Sequence, residues 1–164
     1  MKNIFKSLAM IALGTAMLTF ASCSKTEDDA ETYAIIYAGE TLADGATITL
    51  QPSQNEIEMD FASIELLIDN KTTEKQETVM KVDMTEGPEA MKDLMVCYGE
   101  TCKNPTCPWT SDPFVLVPGV NEEMAIKFDY IPSKVSSTTV YCMTIAKAGS
   151  MKSPRVLNIK IETR

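Results

Sequence analysis

The chain has 164 residues, enough for one domain with a real core and too few for two comfortable ones. Its 15 basic residues stand against 23 acidic ones, and it contains no histidine. An acidic surface repels phosphate backbones, which argues against nucleic-acid binding, and the missing imidazole removes the commonest general base and metal ligand.

Residues 1–22 read as a targeting segment. Lys2 and Lys6 form a positive start, and Leu8 to Phe20 is an uncharged apolar run, short for a membrane span. Phe20-Ala21-Ser22-Cys23 resembles the lipobox of bacterial lipoproteins, with Phe20 where leucine is usual. The resemblance implies cleavage before Cys23 and lipidation of its sulfur. An ordinary secretory signal cut near Ala21 or Ser22 is the alternative. Cysteine parity favours lipidation: with Cys23 acylated, four cysteines remain for an oxidising compartment, whereas an unmodified Cys23 leaves an odd thiol. Two or three acyl chains on one cysteine make a stable membrane anchor. Residues 23–31 are then the lipidated cysteine and a solvated acidic tether, Ser24-Lys25-Thr26-Glu27-Asp28-Asp29-Ala30-Glu31. That tether resembles the acidic export signal of surface-exposed lipoproteins of the Bacteroidetes, which implies a lipid anchor in the outer membrane with the domain facing outward.

From Thr32 to the last residue the hydrophobic period is two. Tyr33, Ile35 and Tyr37 alternate with smaller residues, and Asp44-Gly45 is a turn signal before Thr47–Leu50, which reads as a hairpin. Ile57, Met59 and Phe61 alternate with Glu56, Glu58 and Asp60, a strand with one wet face; the two glutamates are a solvated edge rather than an acid/base dyad. Ile64, Leu66 and Ile68 continue to a polar turn at Asn70-Lys71-Thr72. Met80, Val82 and Met84 share one face of the next strand, and Glu86 to Met95 is the one stretch where a helical turn is plausible. Strands follow at Phe114–Val117, Met124–Tyr130, Thr138–Ala146 and Leu157–Ile161; the Thr138 strand is apolar on both faces and so central. About seven to nine short strands without an amphipathic helix predict an all-β fold, an antiparallel β-sandwich with immunoglobulin-like or fibronectin-like topology over residues 32–164.

Residues 97–109 hold three cysteines spaced C-x4-C-x4-C and the only tryptophan, broken by Gly99, Pro105 and Pro108. In an exported chain these cysteines, with Cys142, read first as disulfides, and three connectivities are open. Gly99 lets the chain turn and join Cys97 to Cys102. Cys107 and Cys142 then remain for each other, closing roughly 36 residues and contributing roughly 3 to 4 kcal/mol. The loop is expected to be a disulfide-braced tip, with Tyr98, Glu100, Lys103 and Trp109 as candidate binding residues for a protein or glycan. Trp109 reads more simply as a plug beneath the loop.

Met95-Val96-Cys97-Tyr98-Gly99-Glu100-Thr101-Cys102, and the earlier Tyr37-Ala38-Gly39-Glu40-Thr41-Leu42-Ala43-Asp44-Gly45, are similar to two motifs of small immunoglobulin-like domains exported by Bacteroidetes. The resemblance implies a sandwich fold and no particular activity. No catalytic residue, metal or cofactor is assigned, and a non-catalytic binding, adhesion or accessory module is the leading reading. The alternative is a thiol-redox or Cu(I) protein using residues 91–107, with Met80, Met84, Met91, Met95 and Cys97 as soft donors. Against it, redox dithiols are usually C-x-x-C at a helix N-terminus, and methionine is a common core filler.

Overall fold

The structure, a computed structural model, describes residues 31–51, 62–150 and 152–162. Cys23, the tether before Glu31 and the strand expected over Ile57–Phe61, with Glu56 and Glu58, lie outside them. Twelve strands are described: β1 Tyr33–Tyr37, β2 Glu40–Thr41, β3 Ala46–Leu50, β4 Ala62–Asn70, β5 Gln76–Glu86, β6 Met95–Tyr98, β7 Thr101–Lys103, β8 Trp109–Thr110, β9 Phe114–Leu116, β10 Gly119–Tyr130, β11 Thr139–Lys147 and β12 Arg155–Ile161. They form two sheets, ordered β2-β1-β4-β10-β6-β7 and β3-β12-β11-β5-β8, with β9 also paired to β5. Two 3-10 turns, Glu89–Met91 and Pro132–Lys134, complete the described structure.

Alternation sets which side chains fill the sandwich. In β4, Ala62, Ile64, Leu66 and Ile68 are buried while Ser63 and Glu65 are exposed. Ile126 and Phe128 of β10, Met80 and Val82 of β5, Tyr141, Met143 and Ile145 of β11, and Leu157, Ile159 and Ile161 of β12 meet them in one core. A fully buried leucine or isoleucine contributes roughly 1.5–3 kcal/mol, so this interior outweighs any surface pair. A 3.0 Å hydrogen bond between the buried hydroxyls of Tyr33 and Thr78 ties one sheet to the other. The Tyr141 hydroxyl donates to the Met91 carbonyl and holds the first 3-10 turn down on β11.

Three expectations need correction. The strand count is twelve among the described residues rather than seven to nine, because β2, β7 and β8 have only two or three residues each and leave no periodic trace. The expected hairpin at Asp44-Gly45 is absent. The tight turn is Ala38-Gly39, both at positive φ, and it joins β1 to β2. Asp44 instead accepts a 2.9 Å hydrogen bond from the Val156 amide, and the chain crosses to the other sheet. There β3 runs parallel to β12, with Ile48 opposite Ile159, so that sheet is mixed rather than wholly antiparallel.

The register fixes which loops share an end. Tyr33 and Gly119 both stand opposite Asn70, one on each side of β4. Thr32, the β4–β5 turn, the β9–β10 turn and the β11–β12 loop therefore gather at one end of the sandwich, the proximal end. Asn70, buried, anchors that β4–β5 turn: its side-chain oxygen accepts from the Thr72 amide at 3.0 Å and its amide donates to the Glu74 and Leu116 carbonyls. Residues 87–94 and 131–138 occupy the opposite, distal end.

Candidate functional site

The cysteine-rich stretch begins as a two-residue hairpin. Gly99, at φ 57, and Glu100 connect β6 to β7, the form in which glycine supplies positive φ at the first loop position. Cys97 and Cys102 then stand directly opposite each other, their Cα atoms 4.0 Å apart, and are joined by a disulfide. The bridge clips β7, a three-residue edge strand, onto β6. Beyond β7 the chain leaves one sheet for the other. Thr106 donates to the Asp93 carboxylate at 2.9 Å and the Cys107 amide donates to the Lys92 carbonyl at 3.2 Å, before β8 pairs with β5 at Lys81 and Val82. The stretch thus closes the side of the sandwich where both sheets end, rather than forming a tip.

The second expected disulfide is not formed: Cys107 and Cys142 are both free thiols. The strand period explains it. On β11 the buried Tyr141 and Met143 point inward, so Cys142 between them faces outward. Cys107 is 3% exposed, in the core. The two sulfurs lie on opposite faces of one sheet. Burial, aided by the nearby charges of Asp83 and Asp93 and opposed by Lys92, pushes the Cys107 thiol up from 9.0 to about 11, so it stays protonated and a poor nucleophile.

The four candidate binding residues divide. Tyr98 is 4% exposed and packs against Phe114 at 5.2 Å and Trp109 at 6.3 Å, so it is a core residue and not a recognition residue. Burial raises its hydroxyl pKa, and the Asp112 charge adds to that. Trp109, opposite the inward-facing Val82, is half-buried against the same cluster, as the plug reading expects. Glu100 and Lys103 are exposed. Lys103 sits on the edge strand with its ammonium 3.9 Å from Asp112, a weak, solvated pair. The soft-donor set considered for Cu(I) is dispersed: Met80 and Met91 are fully buried, Met80 and Met95 belong to different sheets, and Cys97 is oxidised.

Two surface features escaped sequence reading. A groove of about 550 Å³ runs over the outer face of the second sheet, floored by Lys81 and Asp83 of β5 and Cys142 and Thr144 of β11. A cleft of about 360 Å³ opens at the distal end, where Leu94, Met95 and Ile131 make apolar walls among Asp93, Asn104 and Lys134. The cleft assembles from three loops far apart in sequence. No local pattern announces it, although the polar alternation Lys81-Asp83-Thr85 did mark the floor of the groove as an outer face.

No protein-family profile matches the chain, and no curated protein matches it in sequence. Among solved structures, the N-terminal domain of PorA is similar over 80% of this chain and 97% of its own, with a TM-score of 0.57 and 13% identity. The fold is an immunoglobulin-like β-sandwich. Weaker likenesses are to the secreted serine protease VesC from Vibrio cholerae, over 83% of this chain and 24% of that one (10% identity, TM-score 0.47), and to a conjugative transposon lipoprotein from Bacteroides eggerthii, over 81% and 97% (7% identity, TM-score 0.38). At such identities the likeness concerns the fold alone.

Proposed function

We propose that this chain is a non-catalytic, lipid-anchored module of the bacterial outer membrane that presents an immunoglobulin-like domain to a protein or glycan partner. One observation carries the reading: each chemically conspicuous side chain of the cysteine stretch is committed to structure. Cys97 and Cys102 are bonded, Cys107 is buried and protonated, and Tyr98 and Trp109 pack together. Such a loop braces a surface and offers no accessible reactive thiol, which also counts against the thiol-redox and Cu(I) alternatives. Anchoring at Cys23 and residence outside the cytoplasm are supported by the lipobox-like segment and by a native disulfide. Because the described chain begins at the proximal end, the distal cleft points away from the anchor, and its mixture of apolar walls and flanking charges suits recognition.

The test uses intact cells. Labelling with radioactive palmitate should mark the chain and be abolished in Cys23→Ala, and external protease should remove the domain. Cross-linking to the wild-type chain should capture a specific partner that is lost in Ile131→Arg. An unlabelled chain, or a captured set unchanged by Ile131→Arg, would count against the proposal.

A further inference from the structure

The proximal end carries an unusual run of exposed apolar chain. From the end of β9 into the start of β10, Val117-Pro118-Gly119-Val120 is exposed throughout, with Val117 at 45% and Val120 at 46%, and Val115 on β9 is 51% exposed. These three valines are the large hydrophobic side chains that the described fold leaves most open. The turn is also rigidly held. Asn121, itself buried, accepts from the Val117 amide at 2.9 Å and donates to the carbonyls of Val117 at 2.9 Å, Gly119 at 2.7 Å and Ile68 at 3.3 Å. A buried asparagine that satisfies a whole turn fixes its shape, so the apolar tip is pre-formed before anything covers it.

Its position says what covers it. Gly119 and Tyr33 flank Asn70 across three neighbouring strands, so the turn lies about 10 Å from the start of β1. The Thr32 carbonyl accepts the Lys71 amide at 2.9 Å, and Glu31 is paired with the buried Arg155 guanidinium, which pins the root of the tether to the same end. Eight residue steps separate Glu31 from Cys23, a reach of at most about 29 Å. The same end carries exposed Lys71, Lys75, Lys147 and Lys152 among the carboxylates of Asp69, paired with Lys71 at 2.6 Å, and of the exposed Glu74 and Glu77. The lysines among them can meet headgroup phosphates, and the short tether is what brings a lipid surface to this end.

We infer that the Val117–Val120 turn, with Val115, is a membrane-facing wedge that docks the domain on the lipid surface to which Cys23 anchors it. The inference rests on the lipid-anchor reading and deepens it: the acyl chains supply attachment, and the wedge orients the domain so that the distal cleft faces outward. Shallow insertion of a few apolar side chains adds little affinity by itself, but a short tether keeps the local concentration of membrane high enough for it to matter.

The experiment uses the full acylated protein in phosphatidylcholine vesicles, with or without brominated acyl chains. Val117→Trp and Val120→Trp are compared with Glu89→Trp at the distal end, and Trp109 is a constant background. All three positions are exposed, so folding is spared. The expected result is about a two-fold loss of the added fluorescence in brominated vesicles for the two proximal variants and little for Glu89→Trp. Equal, weak quenching of all three in an acylated, vesicle-bound chain overturns the inference. Concentration-dependent dimerisation in detergent that Val117→Asp abolishes would assign the patch to a second copy and overturn it too. Mass spectrometry of Cys23 separates the two levels: an unacylated chain refutes the anchor reading and the wedge with it, whereas an acylated chain without quenching refutes the wedge alone.

Discussion

Replacing Cys142 with alanine should leave the stability of the domain within about 0.5 kcal/mol of wild type, because its thiol is free and faces outward from a strand whose core contacts come from Tyr141 and Met143. Removing the Cys97–Cys102 bridge should cost more. Cys97 and Cys102 are five positions apart, and closing so short a loop restricts the unfolded chain by about 2 kcal/mol in the chain-entropy model. For a chain of this size that is roughly 4–8 °C in melting temperature. The assay is urea or thermal unfolding of oxidised Cys97→Ala/Cys102→Ala beside Cys142→Ala and wild type. Maleimide labelling with mass spectrometry supplies an independent count. Cys142 should react in the folded protein, Cys107 only in denaturant, and Cys97 and Cys102 only after reduction. A Cys142→Ala variant that melts as low as the double variant, or a domain with no free thiol in denaturant, would refute the assignment and restore a Cys107–Cys142 bridge.

Alkaline pH should destabilise the fold. Since the folded Cys107 thiol keeps its proton to about pH 11 and the unfolded one releases it near 9, the folded state binds more protons between those values and stability falls as pH rises through them. Part of that fall should vanish in Cys107→Ala, measured by urea midpoints at pH 8 and pH 10.5; the buried Tyr141 hydroxyl, raised by burial and by Cys107, contributes in the same direction. Tyr98→Ala should lose roughly 3–5 kcal/mol through the cavity left against Phe114 and Trp109, whereas Glu100→Ala should change stability by less than about 0.5 kcal/mol. Chemical denaturation separates the two.

The long strands were legible because a half-buried sheet writes its face into every second residue. Ile64-Leu66-Ile68, Ile126-Phe128-Tyr130 and Leu157-Ile159-Ile161 all fall on the inner side as their alternation predicts. The Cys97–Cys102 bridge was legible because Gly99 permits a two-residue turn that sets the two cysteines opposite. What failed was inference by elimination. Parity paired Cys107 with Cys142, yet Cys142 sits between two inward residues on its strand and so must point outward. The same rule, applied to Val96 and Tyr98, puts both on one face, and Val96 is fully buried. Nearness to a turn had suggested exposure for Tyr98, but strand parity decides it. The crossing of β3 was hidden for a different reason: a parallel partner more than 100 residues away leaves no mark on local sequence.

The bridge matters more for where it sits than for its roughly 2 kcal/mol. β7 has three residues and one partner strand, so its pairing alone is too slight to fix the segment after it. That segment, residues 104–108, carries the chain from one sheet to the other: Asn104 lines the distal cleft, Thr106 holds Asp93, and Cys107 fills the core beside Tyr141. Clipping Cys102 to Cys97 gives the crossing a fixed origin. The geometry of the cleft therefore depends on a covalent bond outside it, while the core strands β4, β11 and β12 pair with neither of the bridged strands. Reduction should loosen the distal end before it unfolds the domain, which places the cysteines in the service of the surface rather than of a chemistry of their own.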